Sequence, residues 1–225
     1  MHIEPGLVEA GKIALSYLTA GGAGAYGLKL VAQALRERGL LSLLARCMAT
    51  TALVLSFFEV FPNHPVGVSE VHFILGSTLF LLFGAAPAAI GLALGLLIQG
   101  LFFAPFDLPQ YGMNVTTLLV PLFAVAALAR RIVAPDTPYV DLSYRQALAL
   151  STTYQTGIVA WVAFWALYGE GFTAQNALSI LAFGSAYMVV VILEPLVDLA
   201  ILAGAKAAGR LRNSVLFERR LYQAA

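Results

Sequence analysis

Residues 73–104 read FILGSTLFLLF-GAAP-AAIGLALGLLIQGLFFA, running from Phe73 through Gly84-Ala85-Ala86-Pro87 to Ala104 without one charged side chain. A membrane-spanning helix needs about 20 mainly apolar residues, so the run is too long for one ordinary span, and its Gly-Ala-Ala-Pro interruption divides it. It predicts a hairpin of two short or partly re-entrant helices, 73–86 and 87–104.

The rest of the chain has the same character. Of 225 residues, 60% are hydrophobic and 11% charged, about half the charged fraction of a soluble domain, and the mean hydropathy is +0.84. Further apolar runs cover 8–34, 40–61, 113–133, 146–168 and 177–204. The reading is all-α: a polytopic helix bundle of about seven transmembrane helices, forming one integral-membrane domain over 1–225. It is expected to be a multi-pass protein of the cell (plasma or inner) membrane, surrounded by the lipid bilayer. The opening Met1-His2-Ile3-Glu4-Pro5-Gly6 lacks the basic start of a secretory signal and is expected to be retained.

Lysine and arginine accumulate on the cytoplasmic side of helix ends. Twelve of the thirteen fall in three places: Lys29, Arg36, Arg38 and Arg46; Arg130, Arg131 and Arg145; and Lys206, Arg210, Arg212, Arg219 and Arg220. Loops 62–72, 105–112 and 169–176 have none but carry Glu70, Asp107 and Glu170. The pattern closes if the N-terminus is outside, the C-terminus is cytoplasmic and residues 73–104 form two segments. Lys12 is the exception; it is read as a snorkelling residue paired with Glu9.

Several functions are excluded. A net charge of +1 without basic clusters gives no nucleic-acid partner. The single Cys47, among Leu43, Leu44 and Met48, permits no internal disulfide and reads as a small buried hydrophobe. Gly22 to Gly27 with Lys29 imitates a phosphate loop, but it lacks the Lys-Ser/Thr ending and a preceding strand. The chain therefore hydrolyses no nucleotide itself, and energy for active transport must come from another subunit. No His-Glu-x-x-His or Gly-x-Ser-x-Gly motif of a hydrolase occurs. Gly21, Gly22, Gly24 and Gly27 leave one helix face smooth, and Gly91 and Gly95 form a small-xxx-small pair.

All three histidines, His2, His64 and His72, fall on the predicted outer side. His2 is second in the chain, so the amine of Met1, the backbone nitrogen of His2 and its imidazole Nδ1 can close five- and six-membered rings around one ion. Ionising that amide needs a metal with a strong preference for a tetragonal nitrogen field, chiefly Ni(II) or Cu(II). Three coplanar nitrogens leave a corner open for a histidine elsewhere. Pro62, Pro65 and Gly67 make 57–72 a loop, with His64 near water and His72 at the start of a helix at membrane depth. His72 reads either as a ligand or as a hydrogen-bonded interfacial imidazole. Asn114 reads either as an amide that orients a ligand or the N-terminal strand, or as a helix cap. Glu194 and Asp198, a turn apart, are expected to pair with neighbouring helices.

These residues resemble the substrate-binding membrane subunits of cobalt and nickel energy-coupling-factor transporters, the CbiM/NikM family. Met1-His2-Ile3-Glu4-Pro5-Gly6 is close to that family's Met-His-Ile-Pro-Asp-Gly, and Ser69-Glu70-Val71-His72 is similar to its Thr/Ser-x-x-His. Gln99-Gly100-Leu101-Phe102-Phe103 and Gly112-Met113-Asn114 resemble its Gln-Ala-Leu-Leu-Phe and Gly-Ala-Asn.

The resemblance implies a square-planar site. Met1 and His2 would give amine, amide and imidazole nitrogens, His72 the fourth, with Asn114 behind and His64, Ser69 and Thr117 nearby. Thr117 stands where the family commonly has a second Asn, and Pro195 where Gly follows the Glu. It further implies no permanent cofactor, with Ni2+ or Co2+ as the transported substrate. The expected partners are a transmembrane coupling subunit, cytoplasmic ATPases and a small auxiliary membrane subunit. The alternatives are a binding subunit for an organic micronutrient, which would not need His2, and a membrane haem or quinone redox protein, which would need paired histidines.

Overall fold

The computed structural model describes residues 3, 6–61 and 64–224. Helix α1, Ala10–Glu59, is two limbs joined at Gly39, whose φ of 74° and ψ of 175° break the helical run. A glycine tolerates that left-handed φ, and the direction of the chain changes there. The strands β1, His64–Val66, and β2, Ser69–Val71, form an antiparallel hairpin in which His64 faces Val71 and Val66 faces Ser69. Then follow α2 (Gly76–Phe83), α3 (Ala85–Phe102), α4 (Tyr111–Ile132), α5 (Tyr144–Glu170), α6 (Ala174–Ala207) and the short α7 (Arg219–Tyr222).

The all-α membrane bundle is therefore the fold, with boundaries that differ from the expectation in three places. The break in 73–104 falls at Gly84 alone, at φ +86°. Pro87, the third residue of α3, sits where a helix has no internal acceptor for its N–H anyway. At 8 residues, α2 rises about 12 Å and cannot cross a bilayer. The segment 57–72 is not an irregular loop, because it carries the hairpin. His72 does not open a helix either: it stands four residues before Gly76 in a non-helical link.

Four stretches, in α1, α3, α4 with its preceding turn, and α6, are long and apolar enough to cross a membrane. Helix α5 is long enough too, at 27 residues, but its Ser151-Thr152-Thr153-Tyr154-Gln155 run lowers its hydropathy. Buried Ser151, Tyr154 and Gln155 lie inside the bundle, so the least apolar helix brings its polarity to the interior.

The seam between α3 and the second limb of α1 is built on small residues. A Cβ on Gly91 would collide with Thr50 and one on Gly95 with Val54, so the backbones approach closely. The Thr50 hydroxyl donates across the seam to the Pro87 carbonyl at 2.8 Å. By contrast Gly21, Gly22, Gly24 and Gly27 face open space. Cys47 is buried and free, as expected.

The basic regions meet at one end. Arg38 donates to the Phe217 and Ser214 carbonyls, Ser42 to that of Val215, and Arg46 to Glu218 at 2.5 Å. Arg220 reaches the Val133 and Ala134 carbonyls. The hairpin, Ile3 and the α5–α6 turn occupy the other end.

Candidate functional site

The hairpin is anchored by Gly67. Its φ of +63° turns the chain, and a Cβ there would collide with the Ser179 carbonyl on α6. The strand so placed receives the start of the chain: Ile3 forms an antiparallel bridge to Ser69 and is fully buried. Its N–H donates to Asn114 Oδ1 at 3.0 Å. Gly6 adopts a φ of +94°, and Gly169 packs against the Leu7 carbonyl.

Asn114 lies in the first turn of α4 but caps nothing. The N-cap position is Gln110, without a side-chain cap. Its amide is committed to the backbone of the N-terminal segment, one of the two roles the sequence left open.

Three residues beyond the Ile3 bridge partner, His72 is 1% exposed. Its Nε2 lies 2.9 Å from Glu70 Oε2, the Phe58 ring meets it edge-on at 5.2 Å, and the Tyr187 hydroxyl donates to its carbonyl at 3.4 Å. Glu70 keeps 29% of its side chain exposed, so a carboxylate stands between the imidazole and the surface. Sequence reading saw Glu70 only as a loop charge beside His72 and gave Phe58 and Tyr187 no role. The two-residue offset of Glu70 from His72 puts both on one side of an extended chain, which was the available signal for Glu70.

The remaining candidates separate. Ser69 is buried in β2 at the Ile3 bridge. His64 is exposed on β1 opposite Val71 and does not join His72. Thr117 is buried, and its hydroxyl donates to the Met113 carbonyl one turn back in its own helix. Met1 and His2 lie outside the described residues. Among the described residues no group of three His, Cys, Asp or Glu side chains could hold a metal ion.

Lys12 corrects an expectation. Its ammonium donates to the Tyr168 and Gly169 carbonyls at 3.0 and 3.4 Å and lies 5.3 Å from the Tyr168 ring centroid. Its partners are the C-terminal carbonyls of α5, not Glu9. Those carbonyls have no acceptor role left inside the helix and carry partial negative charge.

Comparison with known proteins gives the same architecture. The family model described as the cobalt uptake substrate-specific transmembrane region matches residues 2–210. A solved structure titled as a truncated transition metal transporter superposes with a TM-score of 0.70 at 21% identity, covering 92% of this chain and 99% of that one. A second, titled as a transition metal transporter, gives 0.69 at 20% identity, covering 96% of both. No curated protein matches the chain by sequence.

Proposed function

Because the chain belongs to the family of cobalt uptake substrate-specific transmembrane regions and is a multi-pass membrane component of transition-metal uptake, we propose that it captures the ion for an energy-coupling-factor importer. In this reading the Met1 amine, the His2 amide and imidazole nitrogens, and the His72 imidazole bind one Ni2+ or Co2+ as substrate. A planar four-nitrogen field favours nickel.

The observation that carries the reading is the docking of Ile3. Its N–H is fixed by Asn114 and its backbone is paired to Ser69. The first two residues are therefore covalently tethered to a point beside the strand that leads into His72. Glu70 adds negative charge at the imidazole, favouring capture of a cation.

We assign the end carrying Ile3 and the hairpin to the outside and the end carrying the arginines to the cytoplasm. ATP hydrolysis then belongs to cytoplasmic ATPases acting through a coupling subunit, with a small auxiliary subunit completing the assembly. The open glycine face of α1 and exposed Arg210 and Arg212 are the surfaces we assign to partners. Arg38, Arg46 and Arg220 are already engaged within the chain.

The test is calorimetry with nickel and cobalt on purified protein that starts at Met1. Placing two residues before Met1 should abolish binding, and His72→Ala should weaken it far more than His64→Ala. Retained tight binding in the extended variant overturns the chelate.

A further inference from the structure

One polar cluster is not used by that reading. Glu194 and Asp198 on α6 are 0% and 1% exposed. The Ser77 hydroxyl of α2 lies between them, 3.0 Å from Glu194 Oε1 and 2.7 Å from Asp198 Oδ2. Thr78 bonds the other oxygen of Asp198, while Ser151 and Gln155 of α5 donate to Glu194 Oε2 at 2.7 and 2.6 Å. Among the described residues no lysine, arginine or histidine bonds either carboxyl. The titratable neighbours are the buried phenols Tyr154 on α5 and Tyr187 on α6.

A hydroxyl has one proton to give. Ser77 can therefore donate to only one of its two carboxyl contacts, and the other hydrogen bond exists only if that carboxyl brings its own proton. Two bare carboxylates at this depth would also be heavily penalised by desolvation without a cation. The geometry therefore requires a proton on the pair, and with one the site charge is −1.

A second observation points to a ligand. The Tyr154 hydroxyl and Gln155 Oε1 are buried and have no hydrogen-bond partner among the described residues. Gln155 Oε1 is the other arm of the amide whose nitrogen holds Glu194. The Tyr154 ring lies over Gly76, beside Ser77, within the electrostatic reach of Glu194. Both are oxygens with lone pairs to offer, one on the side chain that holds Glu194 and one on a phenol that feels its charge, which suits a cation.

The cluster connects to the outer site through short steps. Gln155 Nε2 also reaches the Ile74 carbonyl at 3.4 Å, two residues from His72, and Ser77 and Thr78 occupy the first turn of α2. Its donors are all oxygens, which bind nickel and cobalt less tightly than imidazole and amine do. A station on a conduction route must be weak enough to release its ion.

We propose that Glu194, Asp198, Ser77 and Thr78 form an internal cation station, occupied by one exchangeable proton at rest and by the divalent metal during its passage. The exchange balances: the incoming M2+ is held by two carboxylates, one H+ leaves, and the site charge goes from −1 to zero. This rests on the reading of the chain as a metal-ion transporter.

Infrared difference spectroscopy of the purified wild type at neutral pH should show a protonated-carboxyl stretch that shifts in D2O and disappears in Asp198→Asn with Glu194→Gln. In the assembled importer in proteoliposomes, Glu194→Gln should cut nickel or cobalt uptake by at least about tenfold, the order lost when a group supporting a metal site is removed. Calorimetric binding at the outer site should change less than about twofold, since Glu194 does not touch it. Wild type without the carboxyl band overturns the proposal whether or not the variants fold, and so does undiminished uptake in Glu194→Gln. Wild type that binds neither nickel nor cobalt would instead overturn the reading of the outer site.

Discussion

The two ends of the bundle are held together by different interactions. At the end carrying His72, position is set by backbone pairing: the β1–β2 hairpin, the Ile3–Ser69 bridge and one amide of Asn114. At the opposite end, arginines from α1 and the C-terminal segment clamp carbonyls and Glu218, and the Glu218 N–H itself donates to the Leu82 carbonyl at 2.7 Å. Strand pairing and one amide place Ile3 to within a hydrogen bond. A buried guanidinium with several acceptors fixes helix ends and resists separation. With the site proposed above, the difference divides the molecule into a capture end and an anchored end.

The division breaks most visibly at Arg46, which is 1% exposed and bonds Ser42, Phe83 and Glu218. Arg46→Met strands Glu218 and two carbonyls, and the stability of the detergent-solubilised protein should fall by about 3–5 kcal/mol, as for any buried ion pair cut on one side. Nickel affinity should stay within about twofold, because the residue is remote from the capture end. A large loss of affinity would show that the ends are coupled.

Asn114→Ala should give the converse. It leaves the buried Ile3 N–H without its acceptor, a cost of about 1–3 kcal/mol. If the start of the chain binds the metal as proposed, that bond positions it, and nickel affinity should fall about 10–100-fold, as on loss of other groups that orient ligands. Calorimetry and thermal unfolding on the same samples separate the two effects. Unchanged affinity would mean that the Ile3–Ser69 pairing suffices alone.

What the sequence disclosed follows the same division. The seven apolar stretches were legible because apolar length is a local property, and the helices over them begin and end within a few residues of the expected places. The Gly91–Gly95 contact was legible because its spacing is local too. The hairpin was not: Pro65 and Gly67 read as loop-formers, and the pairing of His64–Val66 with Ser69–Val71 depends on α6 receiving Gly67 at Ser179. Asn114 was readable as an amide near the site, but its choice between capping α4 and holding Ile3 is a contact over 111 residues. Glu194 and Asp198 were visible as a pair, whereas their partners come from α2 and α5 and share no motif with them.

The smallest test concerns Lys12, where the sequence suggested a local partner and the fold supplied a distant one. Glu9 is three residues away, but the ammonium instead donates to Tyr168 and Gly169 carbonyls at the C-terminal end of α5. There the helix macrodipole adds to the two hydrogen bonds. Lys12→Met should therefore lower stability by about 0.3–1 kcal/mol, the usual range for a cation at a helix C-terminus, and Glu9→Gln should leave the unfolding temperature unchanged. Equal losses in the two variants would restore the ion pair. Loss in Lys12→Met alone would show that the capture end is tied to α5 by backbone acceptors, like the rest of that end.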